Sequence, residues 1–165
     1  MFLKKIEIKS TLTVYSGVDE LPAEVTALMA HAVRSRAMAY APYSRFQVGA
    51  ALLLDNGEVV CGNNQENAAF PSGLCAERVA VFHAGATFPD AVIKAVAICA
   101  ASLDFRVKDA VAPCGACRQA LAEYEYRQKS PVAVYFMGDN TEVYHSPSVR
   151  ELLPLVFTEK SLLQK

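Results

Sequence analysis

The chain is predicted to fold as an α/β protein, a three-layer α/β/α sandwich around one mixed sheet. Three observations carry that prediction. Apolar, β-favouring runs alternate along the chain with segments of helical periodicity. Two neighbouring runs, Phe46 to Leu54 and Glu58 to Gly62, are joined by Asp55-Asn56-Gly57, whose Asn-Gly pair suits the positive φ of a tight antiparallel turn. Finally, 165 residues with 53% hydrophobic content are enough to bury a full core.

In chain order, residues 5 to 14 alternate, with Ile6, Ile8, Leu12 and Val14 on one side and Lys5, Glu7, Lys9, Thr11 and Thr13 on the other. This is a half-buried strand pattern, able to pair with a sheet edge or a neighbouring subunit. From Leu21 to about Tyr40, Val25, Leu28, Met29, Ala32, Val33 and Ala37 recur at helical spacing, and Pro42 opposes continuation. The small residues Gly49-Ala50-Ala51 within the first hairpin strand suit close helix packing or a cleft wall. Pro71-Ser72-Gly73 breaks the chain before a helix from Cys75 to Ala84, with Gly85 as its expected stop. A strand over Ile93 to Ala101 and an irregular stretch over Ser102 to Ala112 follow. A second long helix starts at Cys114 and reaches about Gln128, with Leu121 and Tyr124 facing inward. Val132 to Met137 is a further strand, Asp139-Asn140 a turn, and Thr141 to Tyr144 the returning strand. Ser146-Pro147-Ser148 opens a short helix that ends near Pro154. No repeat, low-complexity tract or linker interrupts this order, so residues 21–165 read as one domain preceded by an extension over residues 1–20.

Composition narrows the function. A formal charge of −1, with no long basic stretch, argues against a polynucleotide partner and for a small neutral ligand. No apolar run has the length of a signal peptide core or a membrane span, which points to a cytoplasmic protein without a membrane partner. Five cysteines are an odd number. Cys61 and Cys99 stand in strand-like runs and read as buried reduced thiols in a reducing compartment.

The other three cysteines carry the chemistry. Cys75 lies in Gly73-Leu-Cys-Ala-Glu-Arg78, and Cys114 and Cys117 in Ala112-Pro-Cys-Gly-Ala-Cys-Arg-Gln119. Cys114 and Cys117 are three apart across a Gly-Ala pair, so a turn entering a helix can aim both sulfurs at one metal. A Cys-x-x-Cys pair alone is also a redox dithiol or half of a structural zinc site. Cys75, with Glu77 two residues on, shifts the reading to a catalytic Zn2+ site with one ion per chain. Three thiolates leave the fourth tetrahedral position open, and Glu77 stands beside the first as a proton carrier. Both ligand segments would present helix N-termini to the metal and offset the charge of the thiolates.

These motifs, in this order, resemble the small zinc-dependent cytidine deaminases of the short homotetrameric type. The resemblance runs from Tyr40-Ala-Pro-Tyr-Ser-Arg-Phe-Gln-Val-Gly-Ala-Ala-Leu-Leu through Asn64-Gln-Glu-Asn-Ala-Ala-Phe-Pro-Ser-Gly-Leu-Cys-Ala-Glu-Arg and Pro113-Cys-Gly-Ala-Cys-Arg-Gln to Glu151-Leu-Leu-Pro-Leu-Val-Phe. It implies a cytidine deaminase-like fold and hydrolytic replacement of the C4 amino group of cytidine or 2′-deoxycytidine, with release of ammonia, in pyrimidine salvage. It assigns the metal to Cys75, Cys114 and Cys117, the proton transfers to Glu77, and a supporting hydrogen bond to the thiolates to Arg78. Phe46, Asn64, Glu66, Ala76 and Phe157 are implied to contact substrate, Asn64 and Glu66 at the ribose hydroxyls. Taken alone, Asn63 to Asn67 reads as a solvated loop and Phe157 as a C-terminal hydrophobic anchor. The resemblance instead implies a homotetramer in which Phe157 of one subunit covers the base bound by another.

Cys75 stands where the polynucleotide-editing deaminases carry His, which favours a free nucleoside. Phe70 and Val79 occupy positions where Tyr and Thr are common in the family, and Phe70 lacks the hydroxyl. Alternative readings are deamination of a modified cytosine nucleoside such as a blasticidin-type antibiotic, a non-catalytic zinc-stabilised binding protein, and a nucleic-acid editing role.

Overall fold

A computed structural model of the chain describes residues 3–139 and 142–162. Among these, six strands form one sheet: β1 (Thr13–Tyr15), β2 (Phe46–Leu54), β3 (Val59–Asn63), β4 (Ile93–Ser102), β5 (Ala133–Met137) and β6 (Val143–Ser146). Their spatial order is β1-β6-β5-β4-β2-β3. Only β4 and β5 run parallel, so the sheet is mixed, as the sequence predicts. The helices are α1 (Ala23–Arg36), α2 (Ala76–Thr87), α3 (Gly115–Gln128) and α4 (Val149–Leu152).

Strand periodicity divides the core into two layers. Successive side chains leave a strand on opposite faces. Ala50, Leu52 and Leu54 of β2 join Val96, Ile98, Val134 and Phe136 in a cluster with Ala80, Val81 and Leu121 from α2 and α3. Ala51 and Leu53 join Ala97, Cys99 and Tyr135 beneath Val25, Leu28, Met29 and Ala32 of α1. A sheet covered on both sides reads as continuous apolar runs, which is the pattern of β2 and β4.

Two glycines let the helices approach. A Cβ on Gly49 would lie 2.1 Å from the Ala32 carbonyl oxygen of α1, and one on Gly62 would lie 2.5 Å from the Ala76 carbonyl oxygen of α2. Gly49-Ala50-Ala51 therefore serves helix packing and none of the three lines the cleft described below. Gly57 takes φ +86° in the β2–β3 turn, as its Asn-Gly sequence demands.

Several expectations are corrected. The first helix ends at Arg36, four residues short of Tyr40, because the Tyr40 main chain bonds instead to Asn64 and Glu66. Val33 and Ala37 face outward, and Ser35 is buried through its hydroxyl bond to the Gly62 carbonyl. Gly85 does not stop α2, which continues to Thr87; its missing side chain makes room for the Tyr124 ring of α3, whose hydroxyl would lie 2.5 Å from a Cβ. Cys61 is exposed rather than buried, on the edge strand β3, whereas Cys99 is buried as expected. In the alternating N-terminal stretch only Thr13–Tyr15 pairs, antiparallel to β6, while Ile6, Ile8, Leu12 and Val14 stay exposed. The returning strand spans Val143–Ser146, and Asn140 and Thr141 lie outside the described residues.

Candidate metal centre and cleft

Sheet direction brings the three cysteines together. β3 and β4 each run antiparallel to β2, so they point the same way and their following loops leave the same edge of the sheet. One loop leads into α2 and the other into α3. Cys75 is the residue immediately before α2, with ψ 153°, and Cys114 the residue before α3, with ψ 165°. Each backbone carbonyl accepts the first bond of its helix, from Val79 N–H at 3.1 Å and Arg118 N–H at 2.9 Å. Neither sulfur caps its own helix, although this is the position at which Ser or Asp commonly does so. Both thiols are thus directed into the shared space, and Cys117 reaches it from the first turn of α3.

The geometry fits a zinc ion. The Sγ atoms of Cys75 and Cys114 are 3.9 Å apart, and those of Cys114 and Cys117 3.5 Å. All three lie within 4.8 Å of one another. Tetrahedral zinc with Zn–S bonds of about 2.3 Å requires sulfurs roughly 3.8 Å apart. The donor set also needs a cation. A hydrogen bond from the Cys117 thiol, aided by the Arg78 guanidinium 3.7 Å away, holds Cys75 down to about 5, whereas the bond to Cys75 and burial push Cys117 far up. One negative charge is easily held among these sulfurs; three require a metal. The Arg78 Nε–H is buried beside them without an acceptor among the described residues.

Glu77 occupies the first turn of α2 and is only 4% exposed, yet it lines the cleft. Burial pushes its carboxyl above the usual carboxylate range, and the neighbouring Cys75 adds to that shift. The cleft has a volume of about 790 Å3, within the range of small-molecule sites. Cys75, Cys114, Glu77 and Arg78 form one end, and Phe46, Asn64 and Glu66 lie along its wall. Ala76 is fully buried behind that wall, and Phe157 is absent from the lining of its own chain's cleft.

Asn64 and Glu66 also build the wall. The Asn64 carboxamide accepts from Val48 N–H at 2.8 Å and donates to the Phe46 carbonyl at 2.9 Å, in the manner of one more strand residue. The Glu66 carboxylate accepts from Tyr43 N–H, Ser44 N–H and the Ser44 hydroxyl, chiefly the last of which lowers its pKa. A carboxylate offers about four acceptor positions, so one remains for a ligand. Ser44 and Arg45 had no place in the sequence-based site. Arg45 adopts φ 54°, and its guanidinium bonds Asp104 at 2.6 Å, fixing the turn that delivers Phe46. The Pro42-Tyr-Ser-Arg turn composition was the available signal. Val111, just before the Cys114 motif, also lines the cleft and carries no signal beyond being apolar.

Residues 22–134 match the family described as the cytidine and deoxycytidylate deaminase zinc-binding region. The chain belongs to this family. It is 42% identical over 135 residues to a cytidine deaminase of Halalkalibacterium halodurans, a match covering 82% of this chain and 95% of that protein. A cytidine deaminase of Sporosarcina psychrophila is 38% identical over 141 residues, covering 84% and 95%. The crystal structure of cytidine deaminase from Burkholderia pseudomallei superposes with a TM-score of 0.69 at 38% identity, over 79% of this chain and 97% of that one. The enzyme from Mycobacterium tuberculosis gives 0.64 at 30% identity, over 83% and 99%. The chain is thus a zinc-binding enzyme of the deaminase family, and its Cys75, Cys114 and Cys117 form a cluster able to hold the ion.

Proposed function

We propose that the chain hydrolyses cytidine and 2′-deoxycytidine to uridine and 2′-deoxyuridine with release of ammonia, a step of pyrimidine salvage. The observation that carries this reading is a buried carboxylate, Glu77, in the same cleft wall as a three-thiol metal cluster. Zinc held by Cys75, Cys114 and Cys117 would supply Lewis acidity that lowers the pKa of water at its open position. Glu77 is placed to accept a proton from the attacking water, to deliver it to ring N3, and to assist departure of the C4 nitrogen. Its raised pKa suits a group that must hold a proton between these transfers. Arg78 neutralises part of the thiolate charge from its position beside Cys75. Phe46 packs against the base, and Asn64 and the remaining acceptor position of Glu66 meet the ribose hydroxyls, with Ala76 buried behind this surface.

Residues 21–165 act as one catalytic domain with residues 1–20 as an extension. The assembly is a homotetramer in which Phe157 closes a neighbour's site; its 55% exposure and its absence from its own cleft support this. The substrate is a small nucleoside and not a polynucleotide or membrane component. The protein works in the cytoplasm, where the three thiols stay reduced.

The test is ammonia release from both nucleosides by zinc-loaded protein, with Glu77→Gln alongside. The wild type turns over, whereas the variant keeps its fold and one zinc per chain but loses at least about 100-fold in kcat, as removal of a general acid-base group does. Near-normal activity of the variant would remove Glu77 from its role. Turnover of a blasticidin-type compound but neither nucleoside would move the substrate assignment to modified cytosines.

A further inference from the structure

The helix that carries two of the metal ligands also grips the C-terminal segment. Directly after Cys117, the Arg118 guanidinium donates to the Pro113 carbonyl at 2.7 Å and to the Leu152 carbonyl at 2.8 Å. The next side chain, Gln119, makes a two-point contact with the main chain of Phe157: its Nε2–H donates to the Phe157 carbonyl at 2.8 Å, and its Oε1 accepts from the Phe157 N–H at 3.3 Å. Two turns further along α3, the Tyr126 hydroxyl donates to the Glu159 carboxylate at 2.7 Å. The segment from Leu152 to Glu159 is therefore laid along α3 by side chains of α3.

The Gln119 contact uses one donor and one acceptor of a planar amide against one donor and one acceptor of the same residue, which sets both position and direction of the Phe157 main chain. It leaves the ring untouched and 55% exposed. A Phe that merely anchored the C-terminus would have its ring packed inward and its main chain free. Here the main chain is held and the ring is presented.

We propose that Gln119 is a positioning residue that fixes Phe157 for insertion into the cleft of a second copy of the chain. This rests on the reading that Phe157 covers the nucleoside bound by a neighbour. Through Gln119, the first turns of α3 both hold the chain's own metal and aim the aromatic cover of another site.

The experiment is a double-mutant cycle on the zinc-loaded enzyme, with KM and kcat measured for cytidine. Gln119→Ala raises KM by about tenfold, the worth of two net hydrogen bonds, with kcat and zinc content unchanged. Gln119→Glu, which sets a carboxylate oxygen against the Phe157 carbonyl, raises KM at least as much as Gln119→Ala. Phe157→Ala raises KM at least as much, and adding Gln119→Ala to it changes nothing further. Should Gln119→Ala lose thermal stability, Gln119→Met keeps helix propensity and volume and must show the same KM effect. An unchanged KM in the Gln119 variants beside a damaged Phe157→Ala overturns the positioning role alone, as does full additivity in the double variant. A silent Phe157→Ala overturns both this role and the shared-site reading beneath it.

Discussion

At the scale of single residues, the cysteines show how position sets chemistry. Cys75 and Cys114 are ordinary helix-preceding residues in backbone terms, with the extended ψ that any such residue takes. A Ser at either position would turn back to bond its own helix; a Cys is a weak acceptor and remains available to a metal. Three thiols packed within 4.8 Å are costly to ionise unless a cation joins them, so the ion contributes stability as well as chemistry. Stripping zinc with a strong chelator therefore lowers the thermal midpoint by several degrees as well as abolishing turnover, and one equivalent of zinc restores both, as followed by thermal denaturation. A midpoint indifferent to chelation would mean that the cluster does not bind the ion tightly.

Between elements, the decisive contact on the side away from the cleft is Glu125. This α3 side chain is 3% exposed and accepts from Val132 N–H at 2.9 Å before β5, Val149 N–H at 2.8 Å in α4, and the Ser148 hydroxyl at 2.7 Å. One carboxylate thereby locks α3, β5 and α4 together and orients the chain toward Leu152 and Phe157. Glu125→Leu removes the acceptor of two buried N–H groups and of the Ser148 hydroxyl. That substitution costs on the order of 3 kcal/mol, because buried donors lose their partner, measurable as a lower urea midpoint at unchanged m-value. A variant within 0.5 kcal/mol of wild type, roughly the ordinary spread for surface changes, would show that the clasp is replaceable. The site lies at the far end of α3, so zinc content is expected to survive in the folded fraction.

For the whole molecule, Phe157 and Leu155 stand on the surface of a single chain as exposed apolar side chains, at 55% and 83%, outside the lining of its own cleft. Exposed large apolar groups favour covering by another subunit. Sedimentation of the active protein is expected to give four times the 17.9 kDa chain mass, and Phe157→Ala is expected to weaken the assembly or its affinity for nucleoside. A monomer with full activity would contradict a site shared between subunits.

Much of this was legible before any coordinates. The hairpin at Asn56-Gly57, the α2 and α3 starts at their cysteines, the α/β order and the Cys-Glu spacing all rest on local chemistry: turn conformation, periodicity and position relative to a helix start. Such properties reside within a few residues, so the sequence alone determines them. It also determined the candidate ligands and Glu77, through spacing and family resemblance. Only the tertiary structure decided that Cys75 and Cys114, 39 residues apart, come within 3.9 Å. That convergence follows from β3 and β4 pointing the same way beside β2, a consequence of strand pairing across the sheet. The same distinction explains the errors. Gly85 looks like a helix stop until the Tyr124 ring of another helix needs its space, and Cys61 looks like a core thiol until its strand proves to lie at the edge of the sheet. In both cases the arrangement of elements distant in sequence, rather than local preference, decided the outcome.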